Sequence, residues 1–289
     1  ERVVPILYRP FDLRWTVYDR NVSVHRRERA FDHFIGRKNI GLAMMRQASA
    51  DQGYTHILAL NAIADNRAQY SNRGIMAASP LWLYASASTD LLDQTSGGKR
   101  PNLAGEFIDE LSIVVGGTPT PEDTFAWIYA VLYTPSYRSR YADFLRRDFP
   151  RVPLPTGRDL FDRFIAIGHE LIALHTMEQK QTRVSRFDVT GSNEVVKVRW
   201  APGNDGEGRV YINAAQYFDR VPQCVWDTHI GGYRVAEKWL KDRKGRQLSF
   251  EEVMHYHEVV AALARTQELQ SELDALVDAA GGWPLSRRT

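Results

Sequence analysis

Cysteine is almost missing from this chain: of 289 residues only Cys224 carries a thiol. A single thiol excludes an internal disulfide and a thiolate metal cage, and it suits a reducing compartment, which points to the cytoplasm. Long apolar runs are missing as well. No stretch approaches the roughly 18 uncharged apolar residues of a membrane helix, and no basic leader followed by an apolar run marks a secretory signal. Charge of one sign is scarce: 37 Lys and Arg stand against 35 Asp and Glu, a net charge of +2. That is too little to draw in a polyanion, so only the distribution of charge can argue for one. Apolar content is plentiful at 44%, enough to bury the core of one large domain or two subdomains. The first residue is Glu1 and the opening VVPILY reads as a buried strand, so the chain is expected to be part of a longer polypeptide.

Catalytic patterns are equally thin. His169-Glu170 and His175 resemble a zinc-protease helix, but that chemistry needs two imidazoles four residues apart. A six-residue step at about 100° per residue turns the two rings about 120° away from each other. His255 and His257 also point in different directions. Thr134-Pro135-Ser136-Tyr137 lacks the amide acceptor and second proline of an adenine-receiving Asn-Pro-Pro-Tyr loop, and a helix break explains it better. The glycines of residues 203–208 do not make a dinucleotide loop, and no phosphate-cradling lysine motif or nucleophile elbow is present. Asp242 and Lys244 have the spacing of a nuclease fragment without a second carboxylate before them. The reading is therefore no catalytic residue, metal or cofactor within this segment.

What remains is a surface for binding. Residues 230–246, IGGYRVAEKWLKDRKGR, join a glycine-pivoted turn to a helix in which six cations face two acids. Phosphate backbones are common partners of such stripes, although a charge run is more often a solvated helix face whose Val235, Trp239 and Leu240 are core. Further cationic segments lie at residues 20–29, 37–38 and 138–151. The candidate phosphate-binding residues are Arg26, Arg27, Lys38, Lys238, Lys241, Arg243, Lys244 and Arg246. Base edges are read by paired hydrogen bonds from Arg, Asn and Gln. Asn66, Arg67, Asn72 and Arg73, with Gln69 among them, supply these on an irregular stretch and are the candidate base readers.

The element pattern predicts an α+β fold, a mixed β-sheet portion with a substantial helical portion. Residues 1–118 read as a strand-rich recognition subdomain, with strands at 3–7, 14–18, 40–46, 55–60 and 81–84 and a surface loop or irregular hairpin over 61–80. Residues 85–101 form the best candidate for a mobile excursion. Residues 119–289 read as a helical subdomain with a small β-hairpin, strands at 195–200 and 209–212 across a glycine-rich turn at 203–208. Thr120-Pro121-Glu122-Asp123 is a helix start with cap, proline and acids in place. Thr156 opens a long helix, residues 136–148 form another with Phe144 inward and Arg138 outward, and Ser249-Phe250-Glu251-Glu252 is a capping box.

Four segments also resemble a known family. They are Tyr8-Arg9-Pro10-Phe11-Asp12 with Arg14 and Tyr18, YAVLYTPSYRSRYADFLRRDFPRVPLP at 129–155, GHELIALH at 168–175 and IGGYRVAEKWLKDRKGRQLS at 230–249. In this order they look like the C-terminal specificity region of Type ISP restriction-modification enzymes and of related single-chain adenine methyltransferase-endonucleases. The resemblance implies sequence-specific recognition of double-stranded DNA. It also implies that adenine methylation and ATP-dependent cleavage belong to upstream domains, together with S-adenosylmethionine, ATP and Mg, and that the helical portion docks on the methyltransferase domain. A non-catalytic protein-docking module is the alternative, and a nuclease built on Asp242 and Lys244 a weaker one.

Overall fold

The computed structural model describes residues 3–23, 26–47, 53–71, 74–85 and 98–285. The chain opens with an antiparallel pair, β1 (Val3–Arg9) and β2 (Asp12–Val17), then a single helical turn, α1 (Glu28–Phe31). There follow β3 (Gly41–Met44), β4 (Ile57–Leu60), β5 (Ile63–Ala64), β6 (Ala77–Pro80), β7 (Trp82–Tyr84) and β8 (Lys99–Pro101). Strand β5 joins β1 in parallel, giving the order β2-β1-β5, and β3 is central in the antiparallel sheet β4-β3-β6. The helices are α2 (Gly105–Val115), α3 (Pro121–Tyr133), α4 (Pro135–Arg140), α5 (Ala142–Leu145) and α6 (Arg158–His175). A second antiparallel sheet, β9 (Arg199–Pro202), β10 (Glu207–Tyr211) and β11 (Tyr217–Pro222), precedes α7 (Gln223–Trp226). The chain ends with the two-residue strands β12 (His229–Ile230) and β13 (Tyr233–Arg234), α8 (Val235–Lys241) and the 30-residue α9 (Phe250–Ala279).

This is the α+β class that the sequence pattern predicts, with one hydrophobic cluster running from Phe11 to Val277 through both halves of the chain. Helix α3 starts as its residues dictate: Thr120 accepts from the Asp123 amide at 3.0 Å, with Pro121 in the first turn. It lies against α6 at Gly168, where an added Cβ would come within 2.1 Å of the Ala126 carbonyl oxygen. Trp127 fills the space beside that contact, 5.0 Å from the Phe164 ring centroid. Two hydroxyls fasten α3 to β4: Tyr129 accepts from the Ala59 amide at 2.9 Å and Tyr133 donates to the Ile57 carbonyl at 2.9 Å. The Tyr129 hydroxyl in turn sits 2.6 Å from His175 Nδ1, whose Nε2 meets the Thr266 hydroxyl of α9 at 2.9 Å. Thr266 donates to Ala262 at 2.7 Å, so it accepts from His175, which is held neutral with its proton on Nε2. Burial, reinforced by the charge of Arg138, lowers the His175 pKa to about 3.

Several expectations need correction. The stretch 61–80 is neither a surface loop nor a hairpin: it holds two strands that pair with β1 and β3 and not with each other, and Ala62, Ile63, Ala64, Ala68, Gln69 and Met76 are buried. Alanine, serine and proline carry no β-branched signal, and β6 forms because the edge of β3 is there to pair with it. Residues 136–148 are two short helices broken at Tyr141, with Phe144 74% exposed instead of inward. Arg138 does not project outward either: its Nε donates to the Leu132 carbonyl at 2.6 Å and its guanidinium lies 4.5 Å from the Tyr133 ring centroid. Gly157, and not Thr156, occupies the N-cap of α6. The strand expected at 195–200 sits at Arg199–Pro202, and β11 was not foreseen. Most of the 85–101 excursion lies outside the described residues, apart from β8 at its end.

Candidate nucleic-acid interface

Two of the singled-out segments meet in space. Asp12, at the start of β2, is 1% exposed and accepts from Arg243 Nη2 at 2.9 Å and from Arg14 at 2.9 Å. The Arg243 guanidinium lies 3.4 Å from the Trp239 ring centroid of α8 and reaches Glu252 at 3.1 Å, and Arg246 shares that carboxylate at 2.9 Å. Three arginines and two carboxylates thus form one chain joining β2, α8 and α9. The same turn supplies Phe11, buried with φ +60°, whose carbonyl accepts from His255 at 2.7 Å.

Above this chain stands the segment carrying Asn66 and Arg67. Asp65 accepts from the Arg67 amide at 2.9 Å and from Arg9 Nη1 at 3.0 Å, which closes the backbone into a turn. The turn is braced from below by the glycine pair. The Gly231 amide donates to Thr55 at 2.9 Å, the Gly232 amide to Tyr70 at 2.8 Å, and the Tyr233 hydroxyl to the Arg67 carbonyl at 3.0 Å. Only glycine permits this approach: Gly231 has φ +60°, and a Cβ on Gly232 would stand 2.7 Å from the Tyr70 carbonyl oxygen. Cations and rings alternate around the base, with Arg9 and Arg14 each 3.8 Å from the Tyr8 centroid and Lys238 5.3 Å from that of Tyr233. Asn66 and Arg67 are themselves exposed.

The remaining sequence-derived candidates divide by what they touch. In the 238–246 stripe most cations are already paired: Lys238 with Asp242 at 2.5 Å, Lys241 with Glu237 at 2.8 Å, and Arg246 with Glu252. Arg243 is 8% exposed and saturated by two carboxylates, so it is withdrawn from the phosphate-binding set. Lys244 is exposed and makes no ion pair among the described residues. Arg26 pairs with Glu28 and faces the Tyr18 ring, while Arg27 donates to the Met76 carbonyl; both are half-buried and serve the fold first. Lys38 is exposed, and it belongs to a patch that sequence reasoning saw only in part. Tyr84 Oη donates to the Lys38 carbonyl at 2.8 Å, Arg37 lies 4.6 Å from the Tyr84 centroid, and Lys99 lies 3.9 Å from that of Trp82. Arg100 pairs in register with Leu83 across β7 and β8. Burial, then the charges of Arg37 and Arg100, hold the His33 pKa below its usual value. The dipeptide Lys99-Arg100 after a polar run was the signal that could have exposed this patch. Gln69 is buried, at 1% exposure, and is withdrawn from the base readers. Asn72 and Arg73 lie outside the described residues.

The histidines considered for catalysis are tied to neighbours: His169 to Asp123 at 2.8 Å and His257 to Ser185 at 2.6 Å, besides His175 and His255. Among the described residues no group of three or more His, Cys, Asp or Glu could hold a metal ion, and no helix is long and apolar enough to cross a membrane.

The arrangement as a whole is a known α+β architecture. The chain superposes on the ATP-dependent Type ISP restriction-modification enzyme LlaBIII bound to DNA with a TM-score of 0.73 and 18% identity, over 94% of this chain and 18% of that one. A nuclease-deletion mutant of the Type ISP enzyme LlaGI in complex with a DNA substrate mimic gives 0.68 and 19%, over 94% of this chain and 24% of that one. The DrdV–DNA complex gives 0.69 and 22%, over 100% of this chain and 29% of that one. At these identities the likeness is one of fold, and the chain spans less than a third of each of those proteins. No curated protein matches the sequence. Residues 1–272 match the Type ISP C-terminal specificity domain, and the chain belongs to that family.

Proposed function

We propose that the chain recognises a double-stranded DNA target for a restriction-modification enzyme. The observation that carries this reading is the exposed Asn66–Arg67 tip, held by the Tyr233 hydroxyl on the Arg67 carbonyl and by Asp65 on the Arg67 amide, with the Gly231 and Gly232 amides fixing the neighbouring Thr55 and Tyr70 carbonyls and with cations and aromatics around its base. Arg67 donates to guanine O6 and N7 or Asn66 to an adenine edge, with Asn72 and Arg73 following along the same segment. Lys38 with Arg37, Lys99 and Arg100, together with Lys241, Lys244 and Arg246, neutralise phosphates and fix register. Residues 1–118 then form the recognition part. Residues 119–289 hold it and dock against a methyltransferase domain of the same polypeptide, which would cover exposed Phe144 and Phe149. Methylation of adenine and ATP-dependent cleavage belong to those other domains, where S-adenosylmethionine, ATP and Mg²⁺ bind, and the whole acts in the cytoplasm.

Selection of bound sequences from a random duplex pool tests the reading. A single enriched motif whose enrichment disappears in R67A supports it, and recovery of unselected sequence sinks it. A protein-docking role is favoured by one feature, Trp15 at 72% exposure beside Leu13 and Val3 on the β1–β2 ribbon. A gel shift at low salt separates the two, since a pure docking module leaves every duplex unbound.

A further inference from the structure

Three residues beyond Arg67 stands an exposed aromatic ring, that of Tyr70. It is 40% exposed, between a buried Gln69 and a half-buried Ser71, and among the described residues of 61–71 it is the one large apolar side chain that faces solvent. Its backbone is fixed from two directions: the carbonyl accepts from the Gly232 amide at 2.8 Å and sits 3.2 Å from His56 Nε2. The ring is confined as well. A Cβ on Gly232 would come within 3.0 Å of Tyr70 Cδ1, and the Tyr233 ring stands 6.1 Å away, centroid to centroid. The same Tyr233 places its hydroxyl on the Arg67 carbonyl at 3.0 Å, so one side chain sets the Tyr70 ring and the Arg67 backbone relative to each other. Outward the ring is open, and its hydroxyl makes no hydrogen bond among the described residues. A lone exposed aromatic needs no explanation, but one held at carbonyl and ring has lost the freedom that exposure normally leaves, which is the condition of a pre-organised contact.

We propose that the Tyr70 ring reads a thymine, by packing against its C5 methyl group beside the base pair that Arg67 contacts. The assignment rests on the tip being the DNA-reading element. With Arg67 on guanine O6 and N7 the tip lies in the major groove, where the base edges present donors and acceptors apart from one apolar group, the thymine methyl. Against a donor or acceptor the ring strips water from a polar group and returns no hydrogen bond. Against the methyl it removes apolar surface from water on both sides. Arginine and asparagine cannot supply this contact, so Tyr70 adds to Arg67 and Asn66 a kind of discrimination that neither has.

Replacing thymine by deoxyuridine removes that methyl and nothing else, and it needs no protein variant. Each thymine of the motif enriched from the random duplex pool is replaced in turn, and the affinity of the 289-residue chain is measured. At one position the replacement is expected to weaken binding roughly fourfold, the worth of one methyl taken out of water. Y70A is expected to bind the thymine and deoxyuridine duplexes equally while keeping the preference that R67A loses. Y70F keeps the ring and is expected to behave as the wild type. Equal affinity of the wild type for both duplexes at every position, or a motif without thymine, overturns the proposal and leaves the Arg67 reading standing. A thymine effect that survives in Y70A gives the methyl to another side chain, and one lost in Y70F gives the recognition to the hydroxyl; either result overturns it too. A pool from which no motif is enriched sinks both readings together.

Discussion

Arg67 and Arg243 are the same residue type put to opposite uses. Arg67 has its backbone fixed on both sides while its side chain is exposed, whereas Arg243 is stacked on Trp239 and held by Asp12 and Glu252. Replacing Arg67 by alanine is expected to leave folding intact and relax target discrimination by roughly 1 to 3 kcal/mol, the worth of a bidentate base contact, measured as the ratio of affinities for cognate and altered duplexes. Replacing Arg243 by leucine leaves the buried Asp12 carboxylate to Arg14 alone and is expected to cost about 3 kcal/mol in urea unfolding, the low end for breaking a buried pair. His175 and His257 give a pH signature. Their folded pKa values fall to about 3 and about 4, chiefly through burial, below the ordinary 6.5. The unfolded chain therefore binds protons that the folded chain refuses. Stability is at its full value above about pH 6.5 and is lost as the pH falls toward 4. Urea midpoints between pH 7 and 4.5 are expected to fall with acidity, and less steeply in H175Q.

At the scale of elements, what could be read in advance was whatever depends on near neighbours in the chain. The Thr120 cap and the Ser249–Glu252 box were visible because cap and amide lie three residues apart, and both form as expected. Strands β1 and β4 announced themselves through branched and aromatic residues. Strand β6 did not, because it depends on the open edge of β3. The cationic stripe misled for the same reason: its acids are partly outside it, Asp12 being 231 residues from Arg243. Conversely, the glycine pair of residues 230–246 was legible as a pivot, but not what it supports, since Thr55 and Tyr70 are remote in sequence. Replacing Gly232 by alanine drives a methyl against the Tyr70 carbonyl. The expected outcome is weakened sequence discrimination with the far-UV spectrum retained, read by the same duplex pair as for Arg67.

Over the whole molecule, charge is balanced in number but not in availability. Most cations of the 238–246 stripe carry internal partners, while Arg37, Lys38, Lys99 and Arg100 make no ion pair among the described residues, Arg37 and Lys99 lying over the Tyr84 and Trp82 rings. Neutralising Lys38, Lys99 and Arg100 together is expected to weaken binding to all duplexes alike and to reduce the log-log salt slope by roughly 2 to 3, at about 0.9 per phosphate contact. An unchanged slope would remove this patch from the interface. The glycine brace has a wider consequence. With the adjoining Tyr233 hydroxyl it grips the carbonyl oxygens of Thr55, Tyr70 and Arg67, which every amino acid possesses, so the side chains at positions 66 and 67 can be exchanged without disturbing what carries them. If the tip reads bases as proposed, a lineage built on this frame acquires a new target word by point substitution there, while the rest of the architecture is inherited unaltered.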